Sequence, residues 1–219
     1  MTDTLTNPIY LQMDDKVLGD AITGLDTYLL SFMKQFGVKS KEFNNLKERL
    51  GVNALGATDV LNKLIWFNKN RNEETIPEEV GHMITMLMGE NHPDINELLK
   101  NITNWSEYQD IKDQYLPIYK NEKQVKIEAI GKLIAKSLVK NYKISGLDQT
   151  LLDKAIKSIR EFIEKILDSL NLADVMQYND RVADHIALNI LMGNKDYIAK
   201  ISNTNPKLDY EKALNANPF

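Results

Sequence analysis

The chain has 219 residues, of which 43% are hydrophobic, and this is enough for one domain with a sizeable core. Its formal net charge of −4 gives no cationic surface for nucleic acid or for an anionic membrane, so we expect neither as a partner. The sequence has no cysteine and only three histidines, so disulfides and thiolate sites are excluded. Any metal site must therefore use His, Asp and Glu.

The first part of the sequence predicts two helices and then a strand. Hydrophobic residues recur at helical spacing over residues 16–36, and Gly37 ends this pattern. A second helix is predicted over residues 40–51. The segment 56–59 is rich in turn residues. The segment 61–68, LNKLIWFN, is predicted to be a strand because it is rich in aromatic and branched residues.

A helix is predicted to follow the strand, from Thr75 to about Met88. Thr75 as the capping residue and Glu78 three positions later match a capping box. Pro77 is compatible with this interpretation, because proline is tolerated in the first turn of a helix.

The second part of the sequence is predicted to be helical. Helices are predicted over residues 94–101, 122–142, 148–170 and 179–192. Pro117 is predicted to interrupt the aromatic segment 105–119. The predicted fold class is therefore α+β, mainly α.

The sharpest internal division lies near residues 142–147. It separates a mixed domain over residues 1–145 from a helical extension over residues 146–219. The tail after Asn203 has no core-forming pattern and stops abruptly, so we expect the chain to be part of a longer protein.

The most informative segment is EEVGH at residues 78–82. A spacing of four residues places Glu78 and His82 on one face of a helix, where a carboxylate and an imidazole can bind one metal ion. Glu128, on the predicted helix 122–142, is the best candidate for a third ligand. Gly131 lies one turn along on roughly the same face, so that face can approach another helix closely.

The order of a strand, a helix with Glu-Glu-x-x-His and a later helix with a glutamate resembles the gluzincin type of zincin metallopeptidase. More narrowly, residues 59–68 followed by residues 75–82, TIPEEVGH, look like metallopeptidase-like domains of ImmA type. Such domains also occur in the polyvalent proteins of some bacteriophages. The resemblance covers roughly residues 40–142. It implies a zincin-like fold, with a small sheet and a metal-site helix pair, followed by the helical extension.

The resemblance implies a zinc ion bound by Glu78, His82 and Glu128. It also implies that Glu79 is the general base, which activates a metal-bound water against a peptide bond. This chain has Glu78 where the family has histidine, and two carboxylates with one imidazole form a harder, more anionic ligand set. Selectivity for zinc is then expected to weaken in favour of another divalent metal, manganese or ferrous iron, and a bound water is expected to be less acidified. We therefore expect slow or absent hydrolysis.

The resemblance also implies partners and a location. The substrate is expected to be a protein or peptide, and the chain is expected to belong to a longer polyprotein or a virion assembly. No apolar run spans a bilayer, and the N-terminus lacks the layout of a secretory signal. We therefore expect the protein in the bacterial host cytoplasm or in the virion.

A simpler interpretation of the same residues stays open. Glu78 and Glu79 are typical of an ordinary helix start, where acids favour the positive end of the dipole. His82 is then a core histidine that donates to a carbonyl, and Glu128 a solvent-facing glutamate. On this view the protein is a non-catalytic structural or interaction protein, a virion or scaffold component that keeps a zincin-like scaffold.

The two remaining histidines are not expected to bind metal. We expect His92 to lie at the surface and His185 to form a hydrogen bond from its helix face. Neither follows a glutamate at a spacing of three residues, so a second Glu-x-x-His is absent. This disfavours a ferritin-like di-iron bundle.

Overall fold

The computed structural model describes residues 24–46, 55–145, 147–148, 150–152, 154–155, 157 and 172–199. The elements are α1 (Gly24–Lys34), β1 (Lys39–Phe43), β2 (Gly56–Asp59), β3 (Leu64–Asn68), α2 (Thr75–Met88), α3 (Pro93–Asn101), α4 (Tyr108–Tyr119), α5 (Glu122–Ser145), α6 (Leu172–Leu191) and α7 (Lys195–Ala199), with a 3₁₀ turn at Ile102–Asn104. These residues are mainly helical with one small sheet, which confirms the predicted class, α+β and mainly α. None of the described helices is long and apolar enough to cross a membrane.

The sheet has three strands in the order β1-β3-β2. The central strand β3 buries Ile65 and Phe67 on one face, as alternation in a half-buried strand requires. It begins at Leu64, later than predicted, because Val60 to Lys63 form a turn in which Lys63 has a φ of 50°. The sheet thus presents its apolar face to the helices.

The prediction of a helix from residue 40 is wrong for residues 40–43, which belong to β1. This strand pairs in parallel with β3, from Lys39 opposite Leu64 to Phe43 opposite Asn68. Its sequence, KSKEF, has weak strand propensity, so pairing with β3 overrides the local preference. Residues 47–51 of the predicted helix lie outside the described residues.

The interpretation of residues 56–59 as a turn is also wrong, because they form strand β2. This strand pairs antiparallel with β3, with Gly56 opposite Phe67 and Asp59 opposite Leu64. A Cβ on Gly56 would lie 2.6 Å from Oε1 of Glu79. The glycine therefore gives space for a side chain of α2, as a glycine inside a strand often does.

Helix α2 has the predicted bounds, but the predicted capping box is wrong. The side chain of Asn72 accepts hydrogen bonds from the Glu74 amide at 3.2 Å and from the Thr75 hydroxyl at 2.7 Å. The carboxylate of Glu78 instead contacts Lys132 on α5. Asn72 thus takes the place of the predicted capping box, and Glu78 interacts with α5 instead.

Helices α2 and α5 pack against each other with their backbones close together. A Cβ on Gly81 would overlap the carbonyl oxygen of Gly131, and a Cβ on Gly131 would overlap the imidazole of His82. Around this crossing the helices bury apolar side chains: Ile76, Val80, Met83 and Ile84 of α2, and Val125, Ala129, Ile130, Leu133 and Ile134 of α5. The close crossing brings the neighbouring turns of the two helices within ligand distance.

Pro117 does not interrupt the aromatic segment, because α4 continues through it to Tyr119. The carbonyl of Asp113 loses its helical partner there, but both residues are exposed and water can replace the bond.

Tyr115 and Tyr119 of α4 stack with ring centroids 5.6 Å apart. The Tyr119 hydroxyl reaches Glu128 of α5.

Helix α5 has the predicted start and extends three residues past the predicted end. Helix α6 begins earlier than the predicted helix 179–192, at Leu172, and ends one residue before its predicted end, at Leu191. Ile186 and Ile190 of α6 belong to the same hydrophobic cluster as residues of α1, α2 and α5.

Most of the predicted helix 148–170 lies outside the described residues, and the domain boundary at residues 145/146 stays a prediction.

His92 was expected at the surface, and this is wrong, since it is 4% exposed. Its Nδ1 accepts from the Asp94 amide at 3.2 Å, and its Nε2 lies 3.3 Å from the Tyr197 carbonyl of α7. His185 forms a hydrogen bond from its helix face, as expected, with the carboxylate of Asp94 on α3 at 2.8 Å. Burial lowers the pKa of His92. Burial tends to raise the pKa of Asp94, but hydrogen bonds from His185 and Tyr197 lower it overall. This cluster joins α3, α6 and α7.

Candidate metal centre

Three side chains with ligand atoms converge between α2 and α5. Glu78 and His82 lie one turn apart on α2, and Glu128 extends from α5. One ligand atom of each lies within 4.8 Å of the others, and no further group of this kind occurs in the part of the chain that the structure describes. Nε2 of His82 lies 3.5 Å from Oε1 of Glu128. The three residues predicted as ligands therefore come together.

Two of these side chains, those of His82 and Glu128, are more buried than ordinary surface residues. The side chain of Glu128 is 11% exposed and that of His82 is 17% exposed, so the alternative of a solvent-facing Glu128 is wrong. Nε2 of His82 is buried, and among the described residues it has no hydrogen-bond partner. A buried imidazole nitrogen without a partner, facing a carboxylate, is suited to accept a metal ion.

The donor set fits a divalent cation. Two carboxylates and one imidazole are ligands for zinc, and the carboxylates also suit manganese and ferrous iron. Tetrahedral ligands at about 2.1 Å from an ion lie about 3.4 Å from one another. The observed separations of up to 4.8 Å then require the ligand atoms to move by roughly an ångström.

Tyr119 of α4 contacts the third candidate ligand. Its hydroxyl donates to Oε2 of Glu128 at 3.2 Å. Burial, together with the charge of Glu128, raises the pKa of Tyr119, so the hydroxyl keeps its proton. The bond leaves Oε1 of Glu128 directed towards His82, as an outer hydrogen-bond partner of a metal ligand does. The sequence-based prediction did not include Tyr119.

Glu79, the predicted general base, is buried at the edge of this group, with 8% of its surface exposed. The Thr58 hydroxyl of β2 lies 2.6 Å from Oε2 of Glu79 and 3.0 Å from its carbonyl oxygen. Burial raises the pKa of Glu79 to about 7, against the lowering effects of His82 and Thr58. A carboxyl with a pKa near neutrality can both accept and return a proton, which is what a general base requires.

Lys132 is a further residue at the centre that the sequence-based prediction missed. Its ammonium contacts Oε1 of Glu78 and lies 3.8 Å from Oε1 of Glu128. Burial tends to lower the pKa of Lys132, but the hydrogen bond and the charge of Glu78 raise it overall. The sequence carried a signal, because Lys132 follows Glu128 by four residues and therefore lies on the same helix face.

A cleft of about 280 Å³ opens beside Glu78 and Lys132. Its wall includes the carboxylates of Glu74, Glu107 and Asp110. Glu107 forms an ion pair with Lys136. The cleft therefore reaches one candidate ligand, Glu78, and its wall carries more acidic than basic side chains.

Comparisons with protein-family models, with curated proteins and with solved structures found no match to this chain. A functional assignment therefore rests on the geometry of these side chains and on the resemblance of the sequence motif. The geometry is compatible with the predicted roles, because one ligand atom each of Glu78, His82 and Glu128 lies within 4.8 Å of the others, and Glu79 interacts electrostatically with all three.

Proposed function

We propose that this protein is a zincin-like, metal-dependent peptidase domain that hydrolyses peptide bonds slowly. The observation that carries the proposal is the convergence of Glu78, His82 and Glu128 from two helices within 4.8 Å. The order of β3, α2 and α5 supports it, because it is the order of the gluzincin motif. The domain is proposed to be part of a phage-type polyvalent protein, in the host cytoplasm or in the virion.

In this proposal Glu78, His82 and Glu128 bind one divalent cation. Zinc is the first candidate, and manganese and ferrous iron follow because two of the three ligands are carboxylates. When bound, the cation supplies a Lewis acid that polarises the scissile carbonyl and acidifies water. Tyr119 orients Glu128 through its hydrogen bond to Oε2.

Glu79 is proposed to move the protons of the reaction. As a carboxylate it takes a proton from the attacking water, and as an acid it returns the proton to the leaving amine. Its pKa of about 7 suits both steps at neutral pH. Thr58 holds the carboxyl in place through the contact of 2.6 Å. The substrate class is an unfolded protein or peptide.

The test is cleavage of denatured casein by the zinc-loaded or manganese-loaded protein, followed by mass spectrometry. We expect slow cleavage that stops on addition of a chelator and falls at least about 100-fold in Glu79→Gln, because the base is lost. Glu73→Gln is the matched control, since Glu73 is an exposed acid just before the same helix, pairs with Lys143 outside the cleft and should keep the wild-type rate. Equal cleavage by wild type and Glu79→Gln would contradict the assigned role.

A second candidate function is a non-catalytic scaffold or virion component. One observation favours it, namely the contact between Lys132 and Glu78, which neutralises a candidate ligand without a metal ion. In that case neither the wild type nor Glu79→Gln cleaves any peptide, with either metal present. This outcome would contradict the peptidase proposal.

A further inference from the structure

Lys132 lies among the candidate ligands as a built-in positive charge. Its ammonium contacts the carboxylate of Glu78 and lies 3.8 Å from that of Glu128. The side chain is 23% exposed, so solvent screens these contacts only in part. Glu78 and Glu128 together carry two negative charges, and Lys132 balances one of them.

The position of this ammonium is fixed by both flanking helices. Lys132 follows Glu128 by one turn of α5, which directs its side chain along the face that meets α2. On its other side, the ammonium lies 5.4 Å from the centre of the Tyr115 ring of α4. The contacts therefore come from α2, α4 and α5 at once, and they hold the charge between the two carboxylates.

We propose that Lys132 competes with the divalent cation for Glu78 and Glu128, and thereby sets the metal affinity of the centre. This inference rests on the proposed function, because it takes Glu78, His82 and Glu128 as the metal ligands. An ammonium has only donor hydrogens, so it cannot itself become a ligand. Its positive charge also repels a second cation within a few ångströms. Metal binding therefore requires the Lys132 ammonium to leave Glu78.

The acidic cleft offers a place for the displaced side chain. Lys132 already lines this cleft, together with the carboxylates of Glu74 and Asp110. The four-carbon stem of lysine is flexible, so rotation about its side-chain bonds can move the ammonium without moving α5. The metal-free and metal-bound states then differ in the rotamer of Lys132 and in ligand adjustments of roughly an ångström.

The test is isothermal titration of chelator-treated protein with manganese and with zinc. Lys132→Met and Lys132→Gln remove the charge, and Lys132→Arg keeps it. Lys136→Met is the matched control, because Lys136 lies one turn further along α5 and pairs with Glu107 instead. Far-UV circular dichroism establishes that each variant keeps its helices.

We expect both charge-removing variants to bind the metals at least about tenfold more tightly than the wild type. Lys132→Arg keeps the positive charge and should bind the metals no more tightly than the wild type. Lys136→Met should stay within about threefold of the wild type, because Lys136 pairs with Glu107. Wild-type binding that is equal to or tighter than that of both neutral variants would overturn this inference and leave the proposed function intact. Absence of binding by every one of these proteins would overturn both.

Discussion

The contact between Thr58 and Glu79 shows how a single hydroxyl supports a buried acid. The carboxyl of Glu79 lies under β2, where Gly56 leaves room for it and Thr58 contacts Oε2 at 2.6 Å. Burial disfavours the charged form of Glu79, and the hydrogen bond from Thr58 partly compensates. The hydroxyl therefore contributes both to the stability of the fold and to the position of the proposed base.

Thr58→Val should lower the free energy of unfolding by about 1–3 kcal/mol, because a buried carboxyl loses its hydrogen-bond partner. Thr85→Val is the control, since the Thr85 hydroxyl donates at 2.8 Å to the Gly81 carbonyl of its own helix. That variant should lose about 1 kcal/mol or less, because a helix carbonyl keeps its backbone partner. Urea unfolding followed by circular dichroism measures both values. A smaller loss for Thr58→Val than for Thr85→Val would contradict this view of the contact.

At the scale of residues, the sequence predicted what helical periodicity determines. Glu78 and His82 were assigned to one face because their spacing is four. Glu128 was chosen because Gly131 on its helix face allows a close helix approach, and because the resemblance implies a glutamate on a later helix. Thr58 and Tyr119 were missed, because each contacts a residue on a different element. Local sequence patterns do not show which elements pack together. Lys132 was visible at a spacing of four from Glu128, but a lysine on a charged helix is ordinarily a solvated surface residue.

At the scale of elements, the centre depends on how closely α2 approaches α5. Gly81 faces the backbone of Gly131, and Gly131 faces the imidazole of His82, so the absence of two side chains sets the helix distance. A close crossing is what places the Glu128 carboxylate 3.5 Å from His82. Larger residues at either glycine would separate the ligands.

The sign of the stability change in Gly81→Ala tests whether α2 and α5 cross as closely as the structure shows. Alanine is favoured over glycine in a helix by about 1 kcal/mol, so a helix free of neighbours would be stabilised. Here the added Cβ overlaps a backbone oxygen that cannot rotate away, and crowding of this kind costs about 1–3 kcal/mol or more. We therefore expect a net loss of stability in urea unfolding, together with weaker metal binding. A stabilised variant would contradict the close crossing.

The helices were easier to predict than the strands. Helices α2 and α5 carry apolar residues at helical spacing over several turns, so their starts at Thr75 and Glu122 follow from the sequence. Strands β1 and β2 are short and polar, and they exist through pairing with β3. Such pairing is a tertiary interaction that local propensity does not record.

At the scale of the whole molecule, the candidate centre belongs to the main core. Buried residues of α1, α2, α3, α5 and α6 form one hydrophobic cluster, and the ligands extend from the two helices in its middle. A cation that binds only the folded state then stabilises the whole cluster, by about 2.7 kcal/mol at a free concentration 100 times its dissociation constant. Metal binding and unfolding are thus linked.

The number of divalent ions bound per chain is the measurement that tests the central claim most directly. Isothermal titration of chelator-treated wild-type protein with zinc should give one ion per chain. His82→Ala should bind none, because one of the three ligands is removed, and His185→Ala should still bind one, because its imidazole contacts Asp94 instead. No binding by the wild type, or undiminished binding by His82→Ala, would contradict a metal centre formed by Glu78, His82 and Glu128.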